Sequence, residues 1–136
     1  MEIPIQVNNF NNGKVLTINV EINKEKATFL LDTGASTSII DLRKLDKFTS
    51  VKPLKSLNIS SLNNNIDAYK IKIDEFILGD KKLNNHTFQV VDLINLNNTF
   101  STNYINVIDG ILGNDIIFEI ISNINIDKNT IETYLY

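Results

Sequence analysis

No cysteine occurs in the 136 residues. Disulfides, thiolate chemistry and cysteine-based zinc sites are therefore excluded. There is one histidine, His86, so a transition-metal site is not expected. No motif implies a cofactor. No apolar run approaches the ~20 residues needed to cross a bilayer, and no membrane partner is expected. Positive charge is not in excess: 13 Lys and Arg stand against 16 Asp and Glu, a formal net charge of −3. Nucleic acid is not an expected partner on that balance. The opening MEIPIQVNNF has no positive region followed by an apolar one, so no signal peptide is visible. The cytoplasm is the expected location, with a processed exported form as the alternative.

Hydrophobic residues make up 43% and charged residues 21%, ordinary for a globular chain. The length suits one domain, residues 1–136, around one core. Asn and Ile are abundant throughout without concentrating in any segment, which reads as compositional bias. The sequons at Asn58, Asn85 and Asn97 are read as accidental on that ground.

Strand signals dominate. Val15 to Ile22 alternates around an apolar face after the turn signal 11-NNGK-14. Ala27 to Leu31 is a second, more continuously apolar strand. Asp41 to Phe48 reads as a short helix with Asp41 at its N-cap. Residues 56–78 read as two extended pieces around Asn63 to Asn65, and 86–93 as a further strand. Asn95 to Asn103 reads as a polar loop, and Asn106 to Leu112 as extended. Asn114 to Ile121 reads as a second helix capped by Asn114 or Asp115, before two last strands near 124–127 and 130–135. The sum is mostly β with two short helices, a barrel or a sandwich.

The segment 29-FLLDTGASTSII-40 carries the chemistry. An apolar strand runs into Asp32 and is followed by Thr33, Gly34, Ala35 and Ser36. Gly34 lets the backbone turn closely, and its amide, with those after it, can donate to the Asp32 carboxylate. Such a loop can hold a carboxylate in an apolar setting with its hydrogen bonds satisfied. A tripeptide alone is weak evidence, but 107-VIDGILGNDII-117 adds a second element. There Ile111 and Leu112 end in Gly113 and lead into a helix. Asp109, before Gly110, lacks an intervening Thr or Ser and reads as a turn residue. His86, after two Asn, reads as a loop or strand-edge residue.

Together the two segments resemble the retropepsin-like aspartic proteases, single-domain relatives of pepsin that include the retroviral proteases. The resemblance runs from about Val15 to Tyr134. It implies a closed, barrel-like acid-protease fold with a flap hairpin, and Asp32 as the catalytic carboxylate. Thr33 to Ser36 would support that loop, with Ile111, Leu112 and Gly113 beside it. It also implies a homodimer acting on peptides or proteins, held partly by terminal strands, here 130-TIETYLY-136. Residues 56–70 fall where the family has its flap, with Ile59, Leu62 and Ile66 as candidates to touch substrate. Ser36 and Asn114 stand where retroviral enzymes usually carry an acid and an arginine, and 95–106 is extra loop. No glycine lies between Pro53 and Gly79, unlike retroviral flaps. That feature favours an alternative, a dimer of this fold that binds peptides with little proteolysis.

Overall fold

In the computed structural model, residues 1–55 and 69–136 are described. The flap expectation, including Ile59, Leu62, Ile66 and the tip Asn63 to Asn65, lies outside them. Eleven strands are placed: β1 (Glu2–Pro4), β2 (Gln6–Phe10), β3 (Gly13–Ile22), β4 (Glu25–Leu31), β5 (Ile39–Asp41), β6 (Leu54–Lys55), β7 (Tyr69–Leu78), β8 (Lys81–Val91), β9 (Gly110–Leu112), β10 (Ile121–Asn125) and β11 (Thr130–Thr133). Two α-helices, α1 (Ile94–Thr102) and α2 (Asn114–Ile120), and a 3-10 helix at Leu42–Lys47 complete the set.

The order β3-β4-β9-β5-β8-β7 returns to β3 through a β3–β7 pairing, so these strands close a barrel. β2 extends from β3, and β6 from β7. Closure leaves no free edge on the six ring strands where they pair. Inside lie Ile18, Val20, Ile22, Phe29, Leu31, Ile40, Ile73, Phe76, Phe88 and Val90, with Ile116 and Ile120 of α2. Along β3, β4 and the end of β8 they are every second residue, as strand alternation requires, whereas Ile73 and Phe76 on β7 are three apart. Phe88 packs edge-on to Phe29 at 6.3 Å between ring centroids.

Asn stands at four of the backbone positions with positive φ: Asn11 (52°), Asn23 (48°), Asn85 (56°) and Asn129 (54°). Its short polar side chain tolerates this conformation. Asn11, Asn23 and Asn129 lie in turns, whereas Asn85 is inside β8, so part of the asparagine excess serves the turns.

Within the described residues the strand readings hold with shifted ends, 106–112 shrinking to β9 and only the Tyr69–Leu78 part of 56–78 being described, and Asp41 caps the first helix, accepting from Arg43 N at 3.1 Å. Three readings are corrected. Residues 95–103 are not loop: α1 occupies 94–102. Its inward positions are Phe100 and a buried asparagine, Asn97. Asn97 donates to Ile108 O (3.0 Å) and Asp41 Oδ2 (3.3 Å) and accepts from Ile108 N (2.8 Å). An apolar stripe was the wrong thing to look for, because a polar side chain fills that slot with its partners in place. The N-cap of α2 is Gly113, not Asn114 or Asp115. Last, β11 lies between β1 and β10 within its own chain, so residues 130–133 have both edges occupied. Only Tyr134 to Tyr136 extend beyond it, with Leu135 92% exposed.

A second apolar cluster lies outside the barrel. Leu93, Phe100, Ile105, Ile108 and Ile111 pack there with Leu30, Ala35, Ile39 and Val91. It fastens α1 onto the face that carries Leu30 toward Asp32.

Candidate active site

β4 ends at Leu31, and Asp32 N still donates to Leu112 O at 3.0 Å. The parallel pairing Leu30↔Ile111 and Leu31↔Leu112 thus delivers Asp32 to one end of the barrel beside Gly113. Gly34 N donates to Asp32 Oδ1 at 2.9 Å, and Ala35 N to Asp32 O at 3.1 Å. Among the described residues no donor meets Asp32 Oδ2. Asp32 is half-buried, and Thr33, Gly34 and Ser36 are exposed. Ala35 is half-buried against the outer cluster. The expected amide donation is present at Gly34. Ala35 N goes instead to the backbone carbonyl.

Gly113 closes against the loop. Asn114 N donates to Ala35 O (2.8 Å), and Asn114 Nδ2 to Thr33 O (3.1 Å). A Cβ on Gly113 would stand 2.8 Å from Ala35 O and from Thr37 C and O, a contact with backbone that cannot give way. Ile111 is almost fully buried and Leu112 fully so. The two sequence segments, far apart along the chain, therefore interlock through strand pairing and through bonds from Asn114 to the loop carbonyls.

Three residues of this framework were not singled out by motif. Ser38, fully buried, accepts from Gly113 N at 3.0 Å and donates its hydroxyl to Asp115 Oδ1 at 2.7 Å. Ser38 N donates to Asp115 Oδ2 at 3.1 Å, and His86 Nε2 meets the same oxygen at 2.9 Å. Burial alone would push the Asp115 carboxyl up. The bonds from His86 and from the Ser38 hydroxyl and amide outweigh it and hold the group below the usual carboxylate range. His86 lies on β8 where, among the described pairings, only β7 flanks it. The strand-edge reading thus holds, but its partner Asp115 could not be read from spacing. The one available signal was the polar pair Asn114-Asp115 directly after the motif glycine.

Asp109 is bent, as read, but not a surface turn: it is only 8% exposed. Its Oδ2 accepts from Thr28 N at 2.8 Å and its Oδ1 faces Lys47 Nζ at 3.4 Å. Thr28 lies near the start of β4 and Asp32 just past its end, so the two carboxylates are at opposite ends of one strand.

A closed six-stranded barrel with a carboxylate loop interlocked against a glycine-led helix defines the acid-protease class of fold. The chain belongs to the aspartyl protease family, which it matches over residues 18–116. Its fold is retropepsin-like. It is similar to a retropepsin-like aspartic protease from Rickettsia conorii, with TM-score 0.67 and 22% identity over 96% of this chain and 88% of that one. It is also similar to EIAV protease in complex with an inhibitor, with TM-score 0.58 and 22% identity over 82% and 93%. The retroviral protease-like domain of Ddi1 from Leishmania major gives TM-score 0.56 and 15% identity over 88% and 94%. At these identities the likenesses speak for the fold. No curated protein sequence matches significantly.

Proposed function

We propose that the protein is an aspartic endopeptidase that works as a homodimer, with Asp32 from each chain forming one catalytic pair. The observation that carries this reading is the state of the Asp32 loop. One carboxylate per chain is held by Gly34 N on one oxygen, and the loop around it is exposed. Peptide hydrolysis of this kind needs two carboxylates sharing one proton. One acts as base toward a water, the other as acid toward the carbonyl oxygen. In aspartic proteases as a class, neighbouring like charges cannot both ionise, and the two titrations split apart. A second copy of the chain across a two-fold axis supplies the missing group.

Thr33 and Gly34 would be covered on pairing, with the Thr33 hydroxyl available to bridge the chains. Because β11 is internal to its sheet, the terminal contact passes to the outer edges of β1 and β10 and to the tail Tyr134 to Tyr136. The substrate is an extended peptide or an unfolded protein segment, crossing both Asp32 loops through main-chain bonds. β6 pairs antiparallel with the start of β7, Leu54↔Lys70 and Lys55↔Tyr69.

Sedimentation should find a dimer at micromolar concentration. An unfolded protein substrate should be cut at acidic pH, and a statine-type inhibitor should stop the cut. A strict monomer without cleavage would sink this reading. A dimer that binds the inhibitor yet cleaves nothing would favour the peptide-binding alternative, to which the glycine-free stretch from Pro53 to Gly79 points.

A further inference from the structure

The single histidine of the chain faces a carboxylate that already has three other donors. Asp115 Oδ1 accepts from the Ser38 hydroxyl at 2.7 Å and from Ile116 N at 3.0 Å. Its Oδ2 accepts from Ser38 N at 3.1 Å and meets His86 Nε2 at 2.9 Å. Groups that can only donate fix the direction of each bond. Gly113 N donates to Ser38 Oγ, which leaves the hydroxyl hydrogen for Asp115 Oδ1. Ser38 N and Ile116 N can only donate as well. Both carboxylate oxygens are therefore acceptors, and the His86 ring carries a proton on Nε2.

A protonated Asp115 does not fit this arrangement. A proton on Oδ1 would make it a donor toward the Ser38 hydroxyl, whose own hydrogen would then lose its acceptor. Ser38 is fully buried, so that loss would go uncompensated. A proton on Oδ2 would face two N–H groups. Ser38 Oγ is also the acceptor for Gly113 N, and the next residue, Asn114, bonds to Ala35 O and Thr33 O of the Asp32 loop. The ionised state of Asp115 is thus tied to the shape of that loop.

His86 supplies the positive charge that faces Asp115. On β7, Ile73 pairs with His86, and its neighbours Lys72 and Asp74 are exposed on the opposite face of the strand. Glu119, the other acid of α2, is exposed. In the loop itself the charged residue is Asp32, which accepts from Gly34 N. Phe88 packs edge-to-face on the imidazole, with ring centroids 5.3 Å apart.

We propose that His86 and Asp115 are positioning residues that hold the Asp32 loop in shape at acid pH, the His86 cation keeping Asp115 ionised and Asp115 keeping Ser38 and Gly113 in place. This rests on reading Asp32 as the carboxylate of a protease that works in acid. Imidazole as a group changes charge between about pH 5 and 8, so below that range Nε2–H brings a full positive charge. The Asp115 contribution is present above its unfolded value and is lost as pH falls through the lower folded value. Without the cation the folded value rises, and the loss begins at higher pH.

His86→Gln keeps an N–H donor and removes the charge. Its cleavage rate per inhibitor-titrated site should match wild type near neutral pH and fall off on the acid side about one pH unit earlier. Asp115→Asn removes the titrating group, so adding His86→Gln to it should move the acid limb no further. Carbon-13 NMR of the Asp115 carboxyl reads the same link without turnover. Its midpoint should rise by about one unit in His86→Gln, and the Gly34 and Gly113 amide signals should follow the titration in both proteins. A pair that serves folding alone would shift acid unfolding but leave the rate per titrated site unchanged wherever the protein is folded, and that result overturns the proposal. So does an Asp115 midpoint that His86→Gln leaves in place, or an acid shift that persists in the Asp115→Asn background. A wild type that cleaves nothing sinks the protease reading instead, and the link from His86 through Asp115 to the loop then stands or falls on the NMR titration.

Discussion

Asp32 and Asp109 stand at opposite ends of the same β4–β9 strand pair, each after apolar residues and each close to a glycine. Their surroundings differ in kind. Asp109 is buried, with one oxygen on the Thr28 amide and the other facing the Lys47 ammonium. Asp32 is half-buried, has Gly34 N on one oxygen, and sits in an exposed loop. A surface groove of about 660 Å³ lies at the Asp109 end, lined by Lys26, Thr28, Lys47 and Asp109 among others. Groove size and carboxylate availability thus point to different ends. Availability is the better guide to the chemistry, since a carboxylate with both oxygens engaged cannot bind a water and relay its proton. A cleft shared between two chains would also be only half present on one.

The sharpest way to break this contrast is to remove each carboxylate in turn. Asp32→Asn should abolish cleavage, by about a thousandfold or more, with the melting temperature little changed, since Asn is nearly isosteric. Asp109→Ala should keep the activity of the folded protein. It should cost about 1–3 kcal/mol of stability by orphaning the Thr28 amide. Cleavage by Asp32→Asn, or a folded but inactive Asp109→Ala, would invert the assignment.

Next in size is the fit of Gly113 against the Asp32 loop. Gly113→Ala should lose about 2 kcal/mol or more, because its Cβ meets backbone on Ala35 and Thr37. Gly13→Ala is the control, with its nearest atom, Phe10 O, at 3.8 Å. Equal denaturation midpoints for the two variants would show that the interlock is looser than the distances indicate.

A smaller effect tests the network behind the loop. The folded Asp115 carboxyl is held below its ordinary value, so the folded state binds fewer protons there than the unfolded one. Its contribution is present above the unfolded value of about 4 and is lost as pH falls through the folded value. Stability should therefore decline below about pH 4. Asp115→Asn should flatten that decline and lower stability at neutral pH by about 1 kcal/mol. Unfolding curves at a series of pH values would check both, and parallel curves for the two proteins would discount the network. The smallest change expected is Lys47→Ala. Its pairing with Asp109 is long, 3.4 Å, and the lysine is 45% exposed. A loss beyond about 1 kcal/mol would mean that the Asp109 end carries more than an ordinary half-exposed pair.

Much of this was legible in the residues themselves. Strands β3 and β4 are visible because burial on one face imposes alternation, and the capped helix at Asp41 because a side chain within reach meets a free amide. The Asp32 loop and Gly113 segment were visible because a turn and a close approach restrict which residues fit. The helix α1 was not. Its inward slot holds Asn97, whose partners Asp41 and Ile108 arrive from distant parts of the chain. His86 looked idle for the same reason: Asp115 reaches it only after α2 packs on the barrel.

What the sequence determined by itself is the local chemistry: an Asp-Thr-Gly turn, a glycine-led helix, and enough period-2 pattern for a mostly β fold, a barrel or a sandwich. Those features depend on neighbours a few residues apart, where covalent geometry limits the choices. Only the tertiary structure decided which of two Asp carboxylates keeps an oxygen available, and that β11 is enclosed by its own chain. These depend on strand register and closure, which bring together groups that no spacing along the chain relates.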